Sequence, residues 1–197
     1  MDKPMPNLMF HGMSLLFKLR DLVLSRKEIL KEAGIRPGFR VLDYGCGPGA
    51  YIVDAAERVG ESGRVYALDL HPLAIRRVQE IARKRRLTNV ETIHSDCQTG
   101  LPDASVDVVL LYDIFHMLND PDAVLAELHR VLKKNGILSL LDPHMSEGAI
   151  MAGITNGQRF ELAKRGQRTY QFAKRELAAV APGRAGMPSS QPETMRA

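Results

Sequence analysis

Val41-Leu42-Asp43-Tyr44-Gly45-Cys46-Gly47-Pro48-Gly49 reads as the end of a buried strand running into a glycine loop. Val41 and Leu42 suit a sheet interior, and Asp43 sets a carboxylate at the strand's C-terminal end. Gly45, Gly47 and Gly49 permit a sharp turn with no Cβ between the backbone and a ligand. Ile52, Ala55, Ala56 and Val59 follow at helical spacing. A helix therefore starts where the loop ends, and its positive N-terminus faces the same cleft. Strand, glycine loop and helix in that order predict a nucleotide-like ligand.

Residues 64–69, Arg-Val-Tyr-Ala-Leu-Asp, form a second apolar run closed by an acid. Asp69 falls at the distance of a carboxylate that grips ribose hydroxyls at the tip of a second strand. Further apolar runs predict strands near 90–94, 106–112 and 136–142, with helices near 50–60, 72–86 and 121–133. Asp120 and Pro121 read as the N-cap and first-turn proline of the last helix, and Gly136 as the residue that closes it. Such alternation implies an α/β fold, a mostly parallel sheet with helices on both faces. After a short helix over 145–154, Phe160, Leu162, Tyr170 and Phe172 alternate around Lys164-Arg165-Gly166-Gln167. That pattern predicts an antiparallel hairpin at the C-terminal end of the sheet.

Upstream, Leu15, Leu16, Leu19, Leu22, Val23, Ile29, Leu30 and Ala33 mark an amphipathic helical segment ending at Gly34. Phe10, Met13, Leu16 and Phe17 give its first part, residues 9–24, an apolar face suited to covering a substrate. From residue 177 onward prolines, glycines and serines outnumber apolar anchors, and a disordered tail is expected. The chain thus divides into 1–34, a domain over 35–176, and 177–197.

The 197 residues suit one domain, and 45% hydrophobic with 25% charged is ordinary water-soluble composition. No membrane span is expected, and Asp2, Lys3 and two prolines within the first ten residues do not read as a signal peptide. A cytoplasmic location is the expectation. Cys46 and Cys97 read as free thiols in place of a disulfide framework. The net charge is +4, and Arg76, Arg77, Arg83, Lys84, Arg85 and Arg86 lie on one predicted helix. Leu73, Val78, Ile81 and Ala82 occupy the other face of that helix, so the charges read as a solvated surface. No RNA-binding module accompanies them, and no nucleic-acid partner is expected.

Two ligand classes share the layout, because Gly45, Gly47 and Ala50 also fit a dinucleotide loop. A dinucleotide brings a pyrophosphate to the helix N-terminus, whereas Asp43 beside the glycines suits a ligand carrying an ammonium group. S-adenosylmethionine carries one. A terminal antiparallel hairpin favours the same choice over an NAD(P)-dependent oxidoreductase.

Residues 35–174 resemble the class I S-adenosylmethionine-dependent methyltransferases, in particular the small-molecule branch with the ubiquinone and menaquinone methyltransferases. The marks are the nonapeptide at 41–49, Asp69, Ser-Asp-Cys at 95–97, Leu-Pro-Asp-Ala-Ser-Val-Asp-Val-Val at 101–109 and Glu-Leu-His-Arg-Val-Leu-Lys-Lys-Asn-Gly at 127–136. The resemblance implies a Rossmann-like methyltransferase sheet. It also implies methionine held at Gly45 and Gly47, ribose hydroxyls at Asp69, and the adenine amino group at Asp96. Asp43, Tyr44, Leu70, Cys97, Tyr112, Asp113, His116 and His144 also follow predicted strand ends and complete the candidate set. Leu70 is placed against adenine, and His116 is the candidate base for a hydroxyl or acidic-carbon acceptor. No metal is required by this chemistry. Tyr112-Asp113 lacks the Pro-Pro-aromatic continuation of nucleic-acid amino methyltransferases, which disfavours that substrate class and leaves protein or small-molecule acceptors, of which a small molecule is the expectation. The short stretch between the fifth strand and the hairpin leaves substrate cover to the N-terminal segment or to another subunit of a homo-oligomer. A non-catalytic cofactor-binding or partner-binding module is the alternative, since fold and cofactor do not establish activity.

Overall fold

The computed structural model describes residues 26–176. The proposed cover over 9–24 and the tail after 176 lie outside the described residues. The elements are α1 (Arg26–Glu32), β1 (Arg40–Tyr44), α2 (Ile52–Val59), β2 (Arg64–Asp69), α3 (Pro72–Arg85), β3 (Val90–His94) and β4 (Val106–Tyr112). A 3-10 turn (Phe115–Met117), α4 (Pro121–Val131), β5 (Leu132–Leu141), α5 (Glu147–Thr155), β6 (Phe160–Arg165) and β7 (Tyr170–Lys174) complete them.

The seven strands form one sheet in the order β3-β2-β1-β4-β5-β7-β6. β1 lies parallel to both β2 and β4, with Val41 opposite Val65 on one side and Val108 on the other. β7 is antiparallel to β5 and to β6, which makes the predicted terminal hairpin. Strand order reverses between β1 and β4, so the C-terminal ends of these two strands open the crevice where such sheets take ligands.

Strand alternation sorts the core into two layers. Val41, Val65, Ala67, Val108 and Leu110 pack with Ile29 and Leu30 of α1 and with Ile52, Ala55, Ala56 and Val59 of α2. Leu42, Leu68, Val109, Leu111, Leu138 and Leu140 face the opposite layer, against Leu125 and Leu128 of α4, Ile150 and Ile154 of α5, Phe160 and Phe172. Helices therefore cover both faces, and the central strands are apolar on both sides as a buried parallel sheet requires.

Gly136 does not close α4. The helix ends at Val131, Leu132 is already extended at φ −65° and ψ 135°, and the chain passes straight into β5. Pairing starts at Val106 with Leu132 and resumes at Val108 with Ile137, so residues 133–136 form an excursion between the two. Gly136 sits inside it because a Cβ there would lie 2.7 Å from Leu132 Cδ2 and 3.0 Å from the Lys133 carbonyl. Close backbone approach, not a helix cap, selects glycine. Asp120 caps α4 as expected, its Oδ1 accepting from the Ala123 N–H.

Candidate active site

The loop after β1 folds over the end of β2, where the N–H groups of Gly45 and Cys46 both donate to the Leu68 carbonyl, at 2.8 and 2.9 Å. Gly45 and Gly47 both adopt positive φ, 75° and 50°, but they are glycines for different steric reasons. A Cβ on Gly45 would stand 2.8 Å from Ile114 Cγ1, whereas one on Gly47 would meet nothing within 4 Å. Gly45 lets the turn after β4 close on the loop. Gly47 leaves an opening beside it.

Asp69, at the end of β2, anchors this loop. Its Oδ2 accepts from the Gly47 N–H at 2.8 Å and its Oδ1 from the His71 N–H at 2.7 Å. Burial raises the Asp69 pKa, and these two N–H groups partly offset the rise. Each carboxylate oxygen keeps acceptor capacity beyond its one N–H. Asp43 is more deeply buried, and its Oδ2 meets no donor among the described residues. Burial, reinforced by the Asp69 charge, pushes its pKa up to about 7. An orphaned carboxylate oxygen in a low-dielectric site is unfavourable unless a ligand cation or donor satisfies it. Cys46, between the glycines, is buried, and its thiol pKa is driven up by burial and by the charges of Asp43 and Asp69. It is an unreactive space-filling thiol.

Tyr44 donates its hydroxyl to the Asp96 carbonyl at 3.1 Å, which ties the loop after β3 to the end of β1. The Asp96 carboxyl is half-buried there, and Leu70, also half-buried, presents its carbonyl to His94 Nε2 at 3.0 Å. Cys97 is partly buried against the core, with its N–H on Ser95 Oγ. Tyr112 points into the interior: it is buried, its hydroxyl shares a hydrogen bond of 2.8 Å with Ser139 Oγ, and its ring meets Tyr51 edge-on. Asp43, Tyr44, Gly45, Gly47, Asp69 and Asp96 are thus brought to one crevice, and the Tyr112 ring packs beneath it.

His116 lies on the 3-10 turn just past β4. Asp142, the first residue after β5, has a fully buried side chain that faces both the His116 backbone N–H at 3.1 Å and its Nδ1 at 2.8 Å. Its other oxygen accepts from the His144 N–H at 3.1 Å, and the His144 ring stands 4.6 Å from the His116 ring. Asp142 was not among the sequence candidates. An acid closing the run Ile137-Leu138-Ser139-Leu140-Leu141 repeats the pattern of Asp43 and Asp69, and that signal could have found it. Extending the fifth strand to 142 hid it. Asp113 adopts φ 56° and donates its N–H to the carbonyl of Leu141, the last residue of β5, one residue past the end of β4. Among the described residues no three or more His, Cys, Asp or Glu side chains gather as a metal site, and no helix is long and apolar enough to cross a membrane.

A family described as methyltransferase domain matches residues 35–177. Demethylmenaquinone methyltransferase of Geobacillus stearothermophilus is 35% identical over 120 residues, 59% of this chain and 50% of that protein. Its counterpart in Listeria innocua is 36% identical over 129 residues, 64% of this chain and 53% of that protein. The chain spans about half the length of these curated relatives. The crystal structure of a SAM dependent methyltransferase from Aquifex aeolicus aligns with a TM-score of 0.71 and 28% identity, covering 81% of this chain and 96% of that one.

Proposed function

The chain belongs to the methyltransferase domain family, and on that premise we propose that it is an S-adenosylmethionine-dependent methyltransferase acting on a small-molecule acceptor. The observation that carries the reading is the pairing of Gly47 with two acids. The loop is open where a Cβ of Gly47 would project, Asp69 holds the Gly47 N–H, and Asp43 brings an unsatisfied carboxylate oxygen to the same strand ends. A cationic, hydroxyl-rich ligand fits this donor and acceptor set, and a pyrophosphate does not. The antiparallel β7 also weighs against a nicotinamide oxidoreductase.

In this reading Asp43 offsets the positive charge of the methionine end, Gly45 and Gly47 shape the space around it, and Asp69 accepts from ribose hydroxyls. Tyr44 holds the loop that carries Asp96 toward the adenine amino group, with Leu70 and Cys97 as apolar neighbours of the base. Bound S-adenosylmethionine supplies a methyl group on a positively charged sulfur, activated for direct displacement. The chain's own contribution is to align the acceptor with that methyl and exclude water. In the same reading His116, two residues beyond the Ile114 that faces Gly45, takes a proton from the acceptor. The demethylmenaquinone methyltransferases among the relatives make a demethylmenaquinone-type ring a reasonable first acceptor to assay.

Titration calorimetry with S-adenosylmethionine, S-adenosylhomocysteine and NAD tests the proposal. Saturable binding of the first two and none of NAD is expected. Binding of NAD alone would replace this reading with an oxidoreductase. Cofactor binding without methylation of any acceptor in a broad panel would leave a binding module.

A further inference from the structure

The methyl-transfer reading leaves one buried acid without a role. Asp142 is on β5's exit, outside the loop that faces the proposed cofactor, and its side chain is fully buried. It makes three contacts: the His116 N–H, His116 Nδ1 and the His144 N–H. The first and third tie two separate turns together. The second does something else. A carboxylate oxygen at this distance accepts from Nδ1–H, and in the neutral ring that tautomer leaves Nε2 with its lone pair. The His116 side chain is 28% exposed, so that lone pair belongs to a ring that reaches the surface. The His144 ring packs against the same ring, tilted by 46° at 4.6 Å between centroids.

From this juxtaposition we propose that Asp142 is a positioning residue that presents His116 Nε2 as a proton acceptor, and that the acceptor is therefore a weakly acidic hydroxyl or carbon acid of phenol or enol type. The inference rests on the methyltransferase reading. An amine that reacts as its free base needs no proton removed before attack, so a carboxylate-oriented imidazole would have no task there. With a phenol, the O–H proton moves to Nε2 while an electron pair on oxygen, or on the conjugated ring carbon, forms the bond to the methyl carbon. The carbon–sulfur pair returns to sulfur, giving a neutral thioether. Methylation at carbon is completed when the methylated ring carbon loses its proton and the oxygen regains one, which restores the O–H. In either case one proton leaves the imidazolium to solvent. The other ionisable groups around the turn are otherwise engaged or lie off the ring: Glu147 pairs with Arg165, Asp120 caps α4, and Asp113 precedes the turn.

The test begins on the wild-type chain, free of cofactor. Two-bond ¹H–¹⁵N correlation spectra of histidine-labelled protein read the tautomer, and His116→Gln assigns the signals. Nδ1–H with a bare Nε2 is expected for His116. The Nε2–H tautomer would overturn the proposal without bearing on the methyltransferase reading. In Asp142→Asn the His116 signals should shift to a tautomer mixture, and unchanged signals would equally reject the positioning role. Turnover with S-adenosylmethionine is then compared on 1,4-naphthohydroquinone and on benzylamine. The hydroquinone should be methylated, and both His116→Gln and Asp142→Asn should lower kcat on the order of 100-fold. The KM for S-adenosylmethionine and its calorimetric affinity should stay within about threefold, since the dyad makes no contact in the cofactor loop. Methylation of benzylamine alone, or full hydroquinone turnover by His116→Gln, would overturn the inference. Absence of S-adenosylmethionine binding to wild type would instead defeat the reading it rests on.

Discussion

Asp69 and Gly47 form one unit, because the carboxylate fixes the backbone that the glycine leaves open. Asp69→Ala is expected to weaken S-adenosylmethionine binding by roughly 1 to 3 kcal/mol, since a charged acceptor is lost. Calorimetry would show the loss, and circular dichroism should show the fold retained. The two glycines should separate binding from stability. Gly47→Val adds a side chain toward open space at positive φ, and should abolish binding with modest loss of stability. Gly45→Ala drives a Cβ into Ile114 and should lower the melting temperature more. Asp43 adds a pH effect. Its pKa is raised from 3.8 to about 7, so between these values the folded chain binds a proton that the unfolded chain has released. Stability contributed at this site is full below the lower value, falls as pH rises through the window, and is lost above about 7. Asp43→Asn should therefore raise the melting temperature more at pH 8 than at pH 4, yet weaken S-adenosylmethionine binding at pH 8. A melting temperature equally changed at both pH values would contradict the buried, ligand-awaiting carboxyl.

At the scale of elements, polar side chains do the joining that apolar packing leaves loose. Glu127 on α4 accepts from the Thr99 N–H and hydroxyl, at 2.8 and 2.6 Å, and from Arg130, which reaches on to Asp103. Arg130, followed by Thr99, holds the Glu127 pKa down to about 2 from 4.5. A depressed carboxylate stabilises above its unfolded pKa and stops doing so as pH falls through the folded one. The chain should lose on the order of 2 to 3 kcal/mol between about pH 4.5 and 2 from this group. Glu127→Gln should flatten that limb of the denaturant-midpoint profile. Glu32 does similar work for α1, accepting from the N–H groups of Arg168 and Thr169 and the Thr169 hydroxyl, and so docks the helix on the β6–β7 turn. Its pKa is lowered: burial raises it, but these hydrogen bonds outweigh that effect. Glu32→Ala should speed amide exchange in both α1 and the turn. Neither link was legible in the chain, since Glu32 meets Thr169 across more than a hundred residues. The elements themselves were legible, because period-two and helical spacing are local properties. Gly136 was misplaced because a glycine near a helix end resembles a cap until the neighbouring backbone is seen.

For the whole molecule, a ligand seated between β1 and β4 bridges both layers of the core. Saturating S-adenosylmethionine at about 100 times its Kd should stabilise wild type by roughly 2.7 kcal/mol, read as a higher melting temperature, and Asp69→Ala much less at the same concentration. An equal rise in both would move the site away from β2. By itself the sequence determined the order of strands and helices, the sheet covered on both faces, the terminal hairpin, and the acids Asp43 and Asp69 at the ends of the first two strands. All of these follow from repeat patterns and from residue types whose backbone preferences are local. Tertiary structure alone decided how those acids are used. Whether a carboxylate is satisfied depends on which N–H groups a distant segment brings to it. Besides the local His71 N–H, Asp69 received the Gly47 N–H from the loop after β1, Asp43 Oδ2 received no donor, and Asp142 was brought from the end of β5 to the His116 ring. No spacing along the chain encodes such differences, because they arise only when separate strand ends meet at one edge of the sheet.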